Sequence, residues 1–225
     1  MSASDVPELP PSYLSSSTRL KPASIRRSPA PEVSGALYRY LTSQNAYRIS
    51  ESRQALVRRL REALAKTVCL VGVCKPLKAI LAIAKVEKPE DRDYSTTRPG
   101  WQADDANHER GVNWLKKLYR HNAGDTLRLF DAHKDFSWIL TEITYGLYLS
   151  DRQVLDDIDT QLIVLPAIMS QNLPLEMHWH IRGTRRITVS KEDVQVIWDC
   201  VQDVSGIFGI KLSKVPTVDE IEPHV

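Results

Sequence analysis

Residues Glu176 to Asp193 read Glu-Met-His-Trp-His-Ile-Arg-Gly-Thr-Arg-Arg-Ile-Thr-Val-Ser-Lys-Glu-Asp. With Leu173 ahead of them, Leu173, Glu176, Met177, His180, Ile181 and Thr184 fall at the i, i+3, i+4, i+7 spacing of one helical face. Ser190 then stands as an N-cap. Asp193, three residues on, can reach back to its N–H, and Glu192 and Asp193 complement the new helix N-terminus. Val194, Ile197, Trp198, Val201, Val204 and Phe208 follow as an apolar stripe at helical spacing. The stretch therefore predicts two helices joined by a short turn.

Its chemistry lies in Glu176 and His180, the titratable pair on the inward face. A carboxylate and an imidazole one turn apart can share a proton, and a low-dielectric setting moves both towards useful acid–base behaviour at neutral pH. The plain alternative is a structural i, i+4 pair, which stabilises an exposed helix by roughly 0.2–0.5 kcal/mol. The opposite face carries His178, Arg182, Arg185 and Arg186, so it is wet or meets an acidic partner. Arg182 or Arg185 could hold a substrate carboxylate in a bidentate fork; surface solvation or a subunit ion pair would use the same groups. His178 and His180 point about 200° apart on a helix, which prevents both from ligating one metal ion.

Upstream, Leu56, Leu60, Ala63, Leu64 and Thr67 share a face from which Arg58, Arg59, Arg61 and Glu62 are turned away. Gly72 and Pro76 then make a helix–break–helix unit, repeated around Asn172 and Pro174, which hints at a duplicated hairpin. Residues Glu87 to Gly100 show no period and read as a long connection, a solvated linker or a cover over a pocket. A helix spans Ala103 to His121. Another, capped by Asp135 and closed near Ser150, places Glu142 beside Ile139 and Ile143, where a buried carboxylate needs His180 or an arginine as partner. Gln153 to Ser170 is apolar after Asp159 and suits a central buried helix. No segment alternates with period two, so the fold class is all-α. The division is a Ser/Pro-rich tail over 1–34, one helical domain over 35–212 and a C-terminal tail over 213–225.

A net charge of +2, from 30 basic and 28 acidic residues, supplies no field for nucleic acid, and no apolar run approaches the ~20 residues of a membrane helix. Neither a nucleic acid nor a membrane is an expected partner. Cys69, Cys74 and Cys200 are odd in number and scattered, which points to a reducing, intracellular and cytoplasmic setting. Buried packing is the expected role of Cys69 and Cys74, with Cys74, ahead of a helix, the better thiol of the two, and Cys200 belongs to the last helix as packing. Arg19, Lys21, Arg26 and Arg27 among serines resemble a mitochondrial-type extension, against which Asp5 and Glu8 count. The final Glu222-Pro223-His224-Val225 is not a peroxisomal Ser-Lys-Leu-type address, so mitochondrial or peroxisomal targeting has no clear signal.

The segment from Asp135 to Phe208 resembles the carboxymuconolactone decarboxylase/alkylhydroperoxidase D-like (AhpD-like) family. The motifs are Tyr145-Gly146-Leu147-Tyr148, the helix from Asp159 to Leu165, the Glu176-x-x-x-His180 pair and the Ser190 cap; Leu60 to Leu64, with Lys66, Gly72 and Pro76, resembles the opening helix. The peroxidase branch's Cys-x-x-Cys falls on Leu173 and Glu176 and its relay glutamate on Gln161, so its disulfide chemistry is absent at that site. The decarboxylase branch has Glu-x-x-x-His, and Thr188 stands where a glycine is usual. The resemblance implies an all-helical bundle, a homo-oligomer (dimer, trimer or hexamer), and a cofactor-free lyase, decarboxylase or isomerase acting on a small carboxylate or lactone. In that scheme His180 is the acid–base, Glu176 orients it, and Arg182, Arg185, Glu142 and Gln161 line the substrate site. The alternatives are a non-catalytic oligomeric scaffold and a thiol peroxidase using Cys69 or Cys74.

Overall fold

Breaks at glycine, asparagine and proline, and Asp or Ser caps at the expected places, divide the chain into helices. The computed structural model describes Pro31 and residues 33–225, so all of the expected 1–34 tail except Pro31, Val33 and Ser34 lies outside the described residues. In order come α1 (Val33–Thr42), α2 (Ser50–Val71), α3 (Cys74–Ala84), α4 (Asp105–Tyr119), α5 (Ala123–Arg128) and α6 (Lys134–Trp138). A π-helix (Ile139–Leu149) continues α6, followed by α7 (Asp157–Met169), α8 (Pro174–Arg186), α9 (Lys191–Ile207) and α10 (Val218–Ile221). There is no strand among the described residues, and the fold is all-α.

Both helix–break–helix units form as their sequences dictate. Gly72 ends α2 at φ 79° with Pro76 in the first turn of α3, and Asn172 (φ 58°) separates α7 from α8, whose first residue is Pro174. The Ser190 hydroxyl accepts from the Asp193 N–H at 3.0 Å and so caps α9. Asp135 does not cap its helix: it lies in the first turn of α6, behind His133.

The main core joins Leu115 and Leu118 of α4 to Tyr145 and Leu149 of the π-helix, Val164, Leu165 and Met169 of α7, Met177 and Ile181 of α8 and Val194 of α9. Its tightest crossing is between α4 and the π-helix. A Cβ on Gly111 would meet the Thr141 carbonyl oxygen at 2.3 Å and the Gly146 nitrogen at 2.8 Å, so the two backbones touch where neither has a side chain. The Asn107 side-chain amide donates to the Glu142 carbonyl at 2.9 Å beside that contact.

Three regions depart from the expected pattern. Val33–Thr42 is a helix, with Tyr38 buried alongside Leu56, Val57 and Ile83. Residues 213–225 are no tail, since Val215, Val218 and Ile221 belong to the core and Thr217 closes a capping box with Glu220. The stretch from Glu87 to Gly100 keeps most of its side chains exposed, as a solvated connection would, but its charged residues strap it along α2. Asp91 takes Arg53 at 2.7 Å, Asp93 takes Arg58 at 2.7 Å and Arg61 at 2.9 Å, and Arg98 forks onto Glu62 with both bonds at 2.7 Å. The basic side of α2 is thus covered by an acidic loop.

Replacing Gly111 by Ala drives a methyl group into backbone that cannot yield locally. We expect Gly111→Ala to lose about 3 kcal/mol of unfolding free energy, measured by urea denaturation; a loss below about 0.5 kcal/mol would show that the crossing can relax.

Candidate functional site

Helix α8 delivers the residues singled out by the sequence, but along a face centred on Met177, His180, Ile181 and Thr184, all buried. Leu173 is exposed and Glu176 half-buried, because the first turn of α8 projects beyond the core. His180 lies inside, edge-on to Tyr119 with ring centroids 6.4 Å apart, and the Tyr145 hydroxyl reaches the Tyr119 hydroxyl at 3.3 Å. The Nδ1 of His180 has no hydrogen-bond partner, and burial alone pushes the imidazole down to about 4. No hydrogen bond or ion pair joins Glu176 to His180. The structure places the two on one helix without making them a proton-sharing pair.

The other expected site residues scatter. Glu142 is buried, but its partner is neither His180 nor an arginine. It is bound by His108 Nδ1, by the Thr141 hydroxyl at 2.9 Å and weakly by Asn107 at 3.4 Å. Burial pushes its carboxyl up, and the bonds from His108 and Thr141 outweigh that and hold it below the ordinary glutamate value. Arg185 is committed to Glu222 through two bonds of 2.8 and 2.7 Å, so the acidic partner of that face lies within the chain. Gln161 is fully buried, with neither its amide oxygen nor its nitrogen hydrogen-bonded. Burial raises the Cys69 thiol to about 12, which makes it a poor nucleophile; Cys74 opens α3 and is exposed; Cys200 is exposed rather than packed inside.

Arg186, expected on the wet face, is buried. It donates to the Tyr119 carbonyl at 2.6 Å and the His224 carbonyl at 3.3 Å, and Arg120 donates to the carbonyl of Arg186 itself. Arg182, half-buried, lines an open cleft of about 510 Å³ with His121, Asn122, His178, Pro223, His224 and Val225. The rings of His178 and His224 lie 5.1 Å apart. Burial, then Arg182 and His224, hold His178 below the ordinary imidazole value; burial, then Arg182 and Arg120, lower Arg186. Among the described residues no carboxylate forms an ion pair with Arg120, Arg182 or Arg186.

Sequence reasoning also missed a charged network inside the bundle. Lys66 is fully buried, donating to the Asp151 carbonyl at 2.8 Å and the Tyr148 carbonyl at 3.2 Å, with Glu62 at 3.5 Å. Burial lowers its ammonium to about 8 against the opposing pull of Glu62. Glu62, assigned to the outer side, in fact turns inward because Lys66 and Arg98 neutralise it there. The i, i+4 spacing of Glu62 and Lys66 was the available signal. Elsewhere an apolar groove of about 550 Å³ runs between α2, α3, α7 and α9, lined by Leu64, Val71, Pro76, Ile163, Pro166, Val201 and Val204 among others. None of the expected site residues lines it.

Against known proteins, the chain is similar to Peroxisomal protein 2 of Schizosaccharomyces pombe, at 24% identity over 155 residues covering 68% of this chain and 71% of that protein. No protein-family model matches it. No solved structure matches it.

The setting of His180 has a consequence for pH. Its folded pKa lies below the unfolded value of 6.5, so between about 4 and 6.5 the unfolded chain binds the proton that the folded chain refuses. This contribution to stability is intact above pH 6.5 and declines as pH falls. From pH 7.5 to pH 5 the wild type should lose on the order of 2 kcal/mol more than His180→Gln in urea titrations; equal losses would mean that His180 is reached by water and titrates normally.

Proposed function

We propose that this chain is a self-associating helical scaffold of the AhpD-like type, working in peroxisomes, and that it does not run acid–base chemistry through Glu176 and His180. The observation that carries this reading is the number of large apolar side chains exposed on α3, α7 and α9. Leu77, Leu81, Leu162, Val196, Val204 and Ile207 are all exposed there, and Val204 also lines the apolar groove. Solvated helices seldom show so many large apolar side chains unless another surface covers them. A second copy of the chain is the covering surface we propose. Two features support the non-catalytic part: His180 is sealed against Tyr119 without a partner for Nδ1, and Glu176 lies outside its reach of hydrogen bonding. The peroxisomal part is supported by the printed name of the S. pombe relative, and no helix among the described residues is long and apolar enough to cross a membrane.

A second reading, the cofactor-independent lyase or isomerase acting on a small carboxylate, is favoured by one observation. Arg182 stands at a cleft with His178, a guanidinium that can hold a carboxylate beside an imidazole that can exchange a proton.

Light scattering on the full-length protein at micromolar concentration should give a multiple of the 25.5 kDa chain mass. The Val204→Lys, Ile207→Lys double variant should give the single-chain mass with an unchanged helical circular dichroism spectrum. A monomeric wild type, or a variant that still assembles, would overturn the scaffold reading. The full chain with a fluorescent tag at its N-terminus should colocalise with peroxisomes in cells; diffuse cytosolic signal would refute that assignment.

A further inference from the structure

We infer that the cleft between the 120–122 turn, α8 and the 222–225 turn is a binding site for a small, multiply charged oxyanion, a di- or tricarboxylate or a phosphate ester. This rests on the surroundings of Arg182 and Arg186 and holds whether or not the chain is catalytic.

A buried guanidinium is stable only when its charge is compensated. Arg186 is 4% exposed, yet its partners are carbonyl oxygens, those of Tyr119 and His224, and its Nε–H has no acceptor. Arg182 has a buried Nε–H that is likewise unmatched, and Arg120 donates to the Arg186 carbonyl. Arg182 and Arg120 both act on the buried Arg186, and of the three it is Arg182 that lines the cleft. The side-chain carboxylate of the 222–225 turn, Glu222, is already forked onto Arg185. Lys66, by contrast, is buried with Glu62 beside it, so this fold does compensate buried cations where no ligand is required.

The cleft's shape and donors define the ligand. The open cleft, at about 510 Å³, is of the size that takes a metabolite-sized molecule. Guanidinium forks match planar carboxylate and tetrahedral phosphate oxygens two at a time. His178 and His224, their rings tilted against each other at 5.1 Å, line the same cleft, and each imidazole carries a ring N–H that can donate to an oxyanion. Arg182 in the lining, with the buried Arg186 near it, disfavours a metal cation there. A singly charged acid would leave most of the positive charge unanswered.

Isothermal titration of the full-length protein at constant ionic strength, with succinate, citrate, inorganic phosphate and acetate as separate probes, tests the site. Saturable one-to-one binding is expected for at least one of the first three, with acetate at least tenfold weaker; preference for succinate and citrate or for phosphate identifies the source of the oxyanion. Arg182→Gln and His178→Gln remove side chains that make no hydrogen bond within the chain, and each should weaken that binding at least tenfold with an unchanged thermal midpoint. Arg59→Gln, on the surface of α2, should leave the affinity as in the wild type. Absence of binding at millimolar concentration, acetate binding as tightly as the others, or an Arg182→Gln protein with wild-type affinity would overturn the assignment.

Discussion

The arrangement of this molecule follows from the contact of two helix backbones, α4 and the π-helix, at Gly111 and Gly146. Contact at that distance excludes any side chain from the crossing point, and the Asn107 amide beside it engages the Glu142 carbonyl. With the two axes held together, Tyr119 at the end of α4 and Tyr145 on the π-helix meet hydroxyl to hydroxyl. Tyr119 then presents its ring to Trp179 and His180, and its carbonyl to Arg186. The inward side of α8 is therefore positioned by α4. Along the π-helix the pairs Thr141–Glu142 and Tyr145–Gly146, and then Leu149, recur every four residues and are all buried.

Two buried cations in this fold are treated differently, and the contrast separates architecture from function. Lys66 is enclosed with Glu62, Arg98 and two carbonyl oxygens, and the loop that supplies Arg98 is itself held to α2 by Asp91 and Asp93. That network closes on itself and ties the 87–100 segment down. Arg186 has carbonyl dipoles but no counter-charge, with further cations on both sides. Carbonyl oxygens orient a guanidinium without neutralising it, so the electrostatic imbalance at the end of α8 is a property of the free protein that a ligand can remove.

Much of the architecture was legible because it depends on local rules. The Ser190 cap, the breaks at Gly72 and Asn172, Pro174 opening α8 and the inward stripe of Met177, His180, Ile181 and Thr184 all follow from neighbouring residues. Thr188, where the AhpD-like resemblance calls for glycine, adopts φ 79°, the backbone conformation that glycine tolerates best. The site was less legible because its facts are tertiary. Helical spacing predicted that Glu176 shares a face with His180, yet spacing says nothing of where the core ends along the helix axis, and α8 runs past it. Nor does local sequence reveal that His108 from α4 would claim Glu142, that Glu222 would claim Arg185, or that residues 213–225 would return to cover the core.

The apolar groove and the cationic cleft have no lining residue in common: one belongs to α2, α3, α7 and α9, the other to α8 with the turns at 120–122 and 222–225. Covering the first by a second copy would therefore leave the residues that line the second in place. An assembly formed through α3, α7 and α9 would display one arginine–histidine cleft per subunit, so oligomer formation and oxyanion capture are separable demands on this sequence. This separation also explains why a helix that looked like a catalytic element presents a sealed imidazole on its inner side. The polar groups available to solvent lie on the other face of the helix, where Arg182 and His178 line the cleft and the backbone turns bring His121 and His224 beside them.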